Sequence, residues 1–96
     1  MIPVEKLASK LGISHTKRND AIQDNIDACI LDMRRVGVNV NSETSNKLVD
    51  KAVELYCKAD FNFQGKSEDF RKNYEKLRDA MSLCEELLNE QNEGDA

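Results

Sequence analysis

The stretch of residues 52–77, AVELYCKADFNFQGKSEDFRKNYEKL, decides the fold that this sequence predicts. Its first part, up to Asp60, spreads apolar residues over a wide arc of a helix. A short turn of residues 61–66 follows, which contains Phe63 and Gly65. From Ser67 onward, apolar residues recur every three or four positions, as in a helix that buries one narrow face. The stretch therefore predicts two helices joined by an aromatic turn.

Helical spacing continues on both sides of this stretch. The sequence predicts helices at about residues 3–11, 19–36, 44–60 and 67–88. Gly12 and Gly37 are expected to stop the first and second helices, and Ser67 is expected to cap the fourth. Residues 38–41 alternate like a strand but are too few to form one alone, so we expect an extended linker. The breadth of its apolar face makes the third helix the expected centre of the fold.

The composition agrees with an all-α protein. Aromatic residues make up 5% of the 96 residues, Trp is absent, and Pro occurs once, so the core must be mostly aliphatic and few positions interrupt a helix. This length suits one domain with one modest core. We therefore expect a compact bundle of four helices with short loops in residues 1–88, followed by a frayed, flexible acidic tail in residues 89–96.

Charge is unevenly distributed along the chain. The net charge is −4, and five of the 18 acidic residues lie in residues 85–96, which contain no Lys or Arg. The remaining 13 acidic residues nearly balance the 14 basic ones. This balance argues against a nucleic-acid binder driven by phosphate neutralisation, which needs a concentrated basic face, and we expect no specific nucleic-acid sequence as a partner. No apolar run approaches the length that spans a bilayer, and no signal peptide is recognisable, so we expect neither a membrane protein nor an exported one.

No set of residues has the spacing of a catalytic or metal site. Cys29, Cys57 and Cys84 are far apart and lie on apolar stripes, so we expect three structural thiols in a reducing compartment. His15 is the only histidine and lies in a polar loop. The second helix carries acids that we interpret as a solvated face rather than a cation site (Asp20, Asp24, Asp27 and Asp32). The sequence predicts no enzyme, cofactor or metal.

Residues 7–22, LASKLGISHTKRNDAI, resemble a helix-turn-helix and give an alternative hypothesis. In that case, residues 14–19 would approach the major groove, and Lys17 and Arg18 would contact DNA. Two observations oppose it. Arg18 stands five positions after Ile13, where the second helix should bury an apolar residue, and the acids of the second helix would repel phosphate. A small helical interaction module is a further alternative.

With these segments placed, the chain resembles the small head–tail connector proteins of long-tailed bacteriophages and their prophages. The matching residues are Leu11-Gly12-Ile13 after the first helix and the acid-rich second helix with its Gly37-Val38 ending. The third helix matches the pattern A-[VI]-x-L-Y-[CV]-K-A-x-F-x-[FY] over residues 52–63. The fourth matches F-x-x-x-Y-x-x-L with Phe70, Tyr74 and Leu77. The resemblance covers about residues 4–87.

The resemblance implies a structural virion protein rather than an enzyme. Such adaptor or head-completion proteins form a ring beneath the portal, extend the DNA channel and present a docking surface to the tail. It implies self-association, contacts with the portal and with tail or stopper proteins, and a location in the virion neck, with the bacterial cytoplasm as the site of assembly. The candidate partner residues lie in the aromatic turn, where we expect Phe63 to be exposed, and in the acidic tail: Asn62, Phe63, Glu90, Glu93 and Asp95.

Overall fold

A computed structural model of the protein describes residues 1–13 and 19–84 and confirms the all-α prediction. The helices are α1 (Val4–Lys10), α2 (Asn19–Arg35), α3 (Lys47–Asp60) and α4 (Ser67–Met81), with a short 3₁₀ turn at Phe63–Gly65. No strand is among the elements of the described ranges. The predicted tail, residues 89–96, lies outside the described residues.

The glycine stops of the first two helices are confirmed. After α1, Gly12 has a φ of +73°, and the amide of Ile13 donates to the carbonyl of Ala8 at 2.9 Å. After α2, Gly37 has a φ of +97°, and the amide of Val38 donates to the carbonyl of Met33 at 3.0 Å. Both turns are the left-handed endings that glycine allows at low cost.

The predicted start of α3 at residue 44 is wrong by three residues. Asn46 caps the helix, because its Oδ1 accepts hydrogen bonds from the amides of Leu48 at 2.8 Å and Val49 at 3.3 Å. Thr44 belongs to the turn before the helix, where its hydroxyl oxygen accepts from the amide of Asn41 at 2.9 Å. The segment NSETSN offers several side chains that could cap a helix, and the sequence alone does not select among them.

Both predicted ends of α4 also need correction. Ser67 is the first helical residue rather than the cap, and its hydroxyl donates to the carbonyl of Ala59 at 2.6 Å. At the other end, α4 stops at Met81, and residues 85–88 of its predicted range lie outside the described residues. The amides of Leu83 and Cys84 bond three residues back, to Ala80 and Met81, which is a tighter turn than an α-helix makes.

The core forms around α3, as predicted. This helix packs on α2 and most extensively on α4, while α1 packs on α2. The linker after α2 joins the core, since Val38 and Val40 are both buried and the intervening Asn39 is only half-buried. We also expected Leu48 on the apolar arc of α3, but its side chain is 48% exposed, whereas the next residue, Val49, is fully buried; Leu48 therefore faces away from the core.

The register of α3 against α4 fixes which residues share an end of the molecule. Ala59 bonds Ser67, Lys58 lies over Phe70, and the rings of Tyr56 and Tyr74 meet at 5.1 Å between centroids. The two helices are therefore an antiparallel hairpin. One end, here called the turn end, carries residues 61–66. The opposite end, here called the open end, holds the beginning of α3 and the end of α4.

Candidate functional site

The aromatic turn, residues 61–66, contains the predicted partner residues Asn62 and Phe63. Phe63 is half-buried rather than exposed as the sequence predicted. Its ring lies 6.1 Å from that of Phe70, and the Lys58 ammonium lies 5.1 Å from the Phe63 centroid and 5.5 Å from the Phe70 centroid. Cation–π contacts of this kind hold the ring in place. Most of the apolar surface of Phe63 is therefore engaged within the chain.

The backbone of the aromatic turn is strained at two non-glycine residues. Asn62 and Gln64 have φ values of +50° and +55°, in the left-handed region that favours glycine. Asn tolerates this region better than most residues, and Asn62 also accepts a hydrogen bond from the amide of Ser67 at 3.3 Å. Among residues 1–13 and 19–84, the Gln64 side chain has no hydrogen-bond partner that would offset its strain. Strain of this kind costs on the order of 1–3 kcal/mol, and both residues are exposed to solvent.

A second group of polar residues surrounds Asp32. Its carboxylate accepts a hydrogen bond from the Tyr74 hydroxyl at 2.7 Å and pairs with Arg78 at 3.0 Å and with Arg35 at 2.9 Å. The prediction that Asp32 lies on a solvated acid row is therefore wrong, although Asp20, Asp24 and Asp27 are exposed as predicted. This arrangement, here called the Asp32 cluster, joins α2 to α4 across one side of α3.

The Asp32 cluster has little catalytic potential. Burial alone would raise the pKa of Asp32, but hydrogen bonds from Tyr74, Arg35 and Arg78 outweigh it and hold the pKa below its usual range. Burial, the neighbouring Cys29 thiol and the bond to Asp32 raise the pKa of Tyr74. At neutral pH the carboxylate is thus a weak base and the phenol keeps its proton. This pairing stabilises the fold but does not provide a general acid and base.

A cleft of about 310 Å³ opens beside this cluster. Arg71 and Glu75 of α4 line it together with Asp60 and Tyr56 of α3. Positive and negative side chains alternate around the opening, so the cleft has no single charge that would select an anion or a cation. Its shape and mixed charge suit contact with a polar protein surface better than capture of a small charged molecule.

Two of the three cysteines are buried as predicted. Burial raises the pKa of Cys29 and of Cys57 to about 12, so neither thiol is a ready nucleophile at neutral pH. Cys84 differs, because it is half-buried at the open end. The prediction of core thiols is therefore confirmed for the first two and only partly correct for Cys84.

The open end carries a cluster of lysines that the sequence did not predict. Lys6 and Lys10 of α1 and Lys47 and Lys51 of α3 line a cleft of about 380 Å³, here called the lysine cleft. Lys10 pairs with Glu54 at 3.4 Å. Lysines four residues apart on both helices were a visible signal, but only the packing of α1 near α3 brings the two pairs together.

Glu54 joins this cleft to the aromatic turn. It pairs with Lys58 at 2.9 Å, and Lys58 is the residue that covers Phe63 and Phe70. Partial burial would raise the pKa of Glu54, but the hydrogen bond and charge of Lys58 and the charge of Lys10 lower it instead. Glu54 therefore stays ionised and orients the lysines on both sides of it.

Several predicted residues lie outside the described part of the chain. These are the acidic tail candidates Glu90, Glu93 and Asp95, and residues 14–18 of the helix-turn-helix hypothesis. Within residues 1–13 and 19–84, no three His, Cys, Asp or Glu side chains are close enough to share a metal ion. In the same ranges, no helix has the length and apolar character needed to cross a bilayer.

Comparisons with protein families, with curated proteins and with solved structures gave no significant match.

Proposed function

We propose that the protein is a non-enzymatic head–tail connector subunit of a long-tailed bacteriophage or prophage. In this role, copies form a ring beneath the portal, extend the DNA channel and present a docking surface to the tail. The proposed partners are the portal protein, tail or stopper proteins and further copies of the chain. The proposed locations are the virion neck and, during assembly, the bacterial cytoplasm.

The observation that carries this proposal is the packing of the residues on which the resemblance depends. Tyr56 from the third-helix pattern meets Tyr74 from the fourth-helix pattern at 5.1 Å, with the rings nearly perpendicular at 76°. Phe63 and Phe70, from the same two patterns, pack at 6.1 Å. The two patterns therefore belong to one hairpin, as expected if they encode a shared structural unit rather than a chance similarity.

The surface offers a contact for a neighbouring copy. Leu31 on α2 is 69% exposed and lies with Ile30 in a shallow groove of about 350 Å³, which Asp27 and Arg34 flank. An exposed apolar residue between opposite charges is a common feature of a protein contact, where the charges set orientation and the apolar group supplies affinity. A single such residue supports weak association, so ring formation would depend on the portal raising the local concentration.

The test is co-sedimentation with capsids that carry the portal but lack the tail. The intact chain is expected to co-sediment with these capsids and not with capsids that lack the portal. Deletion of residues 89–96 is expected to leave the helical circular dichroism spectrum unchanged and to weaken docking. Leu31→Ser tests the proposed contact between copies, and Ala21→Ser, at another exposed position of α2, is its control.

Two outcomes would overturn the connector proposal. If the chain does not co-sediment with these capsids but binds a specific DNA duplex at physiological salt, it is a helix-turn-helix regulator. If it binds neither, it is a helical interaction module with a different partner.

A further inference from the structure

We propose that residues 85–96, here called the acidic segment, bind in the lysine cleft of the same chain. The segment would run from Cys84 across the first turn of α3 towards α1. Its acidic side chains would pair with the lysines of both helices. This inference is independent of the connector function, because it concerns the isolated protein.

The lysine cleft has a clear excess of positive charge. Four lysines and the Met1 ammonium line it, against the two carboxylates of Asp50 and Glu54. Among the described residues, Glu54 pairs with Lys10, whereas Lys6, Lys47 and Lys51 form no ion pair. The side chains that surround the cleft thus leave most of its positive charge for a further acidic group.

The acidic segment has complementary charge. It carries five acids and no basic residue in 12 positions. In the rest of the chain, acids and bases nearly balance, and the exposed acids of α2 are interspersed with other residues along a helix. The most concentrated negative charge of the sequence therefore follows directly after the end of α4.

The hairpin register brings this segment to the right place. Contacts between Tyr56 and Tyr74 and between Ala59 and Ser67 set α3 antiparallel to α4, so the end of α4 and the first turn of α3 lie at the same end of the hairpin. Lys47 is the first residue of α3. Neighbouring helices pack about 8–10 Å apart, and six extended residues span at most roughly 20 Å. Residues 85–90 are thus long enough to reach α1 from the end of α4.

Exposed leucines at the open end also suit a docked peptide. Leu48 in the first turn of α3 and Leu83 after α4 are 48% and 83% exposed, and the acidic segment contains Leu87 and Leu88. Apolar contact between these side chains would add to the pairing of charges.

A phosphate group or nucleic acid is a poorer occupant of this cleft. Asp50 and Glu54 lie among the lysines and would repel the closely spaced charges of a phosphate backbone. An acidic peptide can place its carboxylates next to the lysines and its amides next to these two acids. Tethering also gives the chain's own segment a high effective concentration over any free ligand.

Zero-length carbodiimide cross-linking tests this proposal on the full-length protein. The reagent couples a carboxylate to a lysine amine only when the two are in contact, and mass spectrometry identifies the pairs. Cross-links from Glu90, Glu93 and Asp95 to Lys6, Lys47 and Lys51 are expected. They should exceed those to Lys72 and Lys76, exposed lysines of α4, by at least about tenfold at low salt, and the excess should vanish near 1 M NaCl, where screening acts within about 3 Å.

A matched pair of full-length variants gives a second measurement. Changing all five acids of the segment to their amides should shift the backbone NMR signals of α1 and of residues 47–51. It should leave those of residues 61–70 unchanged. The control changes the exposed Asp20, Asp24 and Asp27 to Asn and should leave residues 47–51 unchanged.

Three results would overturn the proposal. The first is an even distribution of cross-links over all lysines. The second is a five-acid variant with unchanged signals in α1 and residues 47–51. The third is cross-linking mainly between chains in a mixture of ¹⁴N- and ¹⁵N-labelled protein, which would assign the acidic segment to the cleft of a neighbouring copy.

Discussion

The turn end and the open end of the α3–α4 hairpin differ in how many of their side chains have contacts within the chain. At the turn end, Phe63 packs on Phe70, Lys58 covers both rings, and Ser67 bonds back to Ala59. At the open end, Leu83 is 83% exposed, and lysines from two helices line one cleft. The most conspicuous aromatic sequence thus closes the hairpin on itself, whereas less conspicuous residues form the surface that is left for a partner.

Thiol labelling should give the largest contrast between the two ends. At pH 8, Cys29 and Cys57 should react on the order of a thousandfold more slowly than an ordinary thiol, since a pKa of about 12 leaves far less thiolate than an ordinary pKa of about 8.5. Cys84, half-buried at the open end, should react first. One fast equivalent in the native protein and three in denaturant would confirm this. Three fast equivalents in the native protein would show that the core is open.

A pair of leucine truncations on α3 compares the centre of the helix with its open end. Leu55→Ala should lower the free energy of unfolding by roughly 2–5 kcal/mol, because the side chain is buried in the core. Leu48→Ala is the matched control and should cost less than about 1 kcal/mol, because half of this side chain already faces solvent. Urea denaturation measures both changes. Equal losses would contradict the placement of Leu48.

The Asp32 cluster predicts a pH-dependent contribution to stability. Asp32→Asn should cost about 1–3 kcal/mol at pH 7, because three donors then face a neutral acceptor. The folded-state pKa of Asp32 is lowered, so this contribution is fully present above the unfolded pKa of about 3.9 and is lost as the pH falls through the folded value. The difference between wild type and variant should therefore shrink below about pH 4. Asp20→Asn, at an exposed acid, is the control and should show no such change.

A substitution in the aromatic turn should have the smallest effect on the free energy of unfolding, and it should increase stability. Gln64→Gly should raise the free energy of unfolding by about 0.5–1 kcal/mol, because glycine adopts the left-handed conformation without strain and this outweighs its greater freedom in the unfolded chain. Gln64→Ala should bring no gain, since it keeps the strained Cβ. Thermal unfolding followed by circular dichroism measures both. A gain with Ala would mean that the side chain, and not the backbone, is the unfavourable element.

The helices were predictable because their determinants are local. The apolar residues of α2 recur at helical spacing, and the glycines at residues 12 and 37 mark where α1 and α2 end. The exact ends of α3 and α4 were not predictable. Asn46 competes with other polar residues for the cap of α3, and the Ser67 hydroxyl bonds a residue of the preceding helix rather than its own.

The polar sites were less predictable than the helices because they join residues far apart in sequence. Asp32 reaches Tyr74 and Arg78 over separations of 42 and 46 residues. The helical spacing of α2 alone does not distinguish Asp32 from the other three acids of that helix. The lysine cleft likewise depends on α1 lying near α3, which no spacing within either helix reveals. Of the predicted partner residues, Asn62 is exposed, whereas Phe63 has its contacts within the chain.

The contacts that set the hairpin register also constrain how this gene can vary in length. Inserting one residue into α4 between Phe70 and Tyr74 would rotate Tyr74 by about 100° relative to Phe70 and turn it away from Asp32. The segment of residues 41–46 bears no such constraint, because exposed residues make up most of it and its capping hydrogen bonds are local. Among homologous genes, insertions and deletions should therefore accumulate before α3 and be rare within α4.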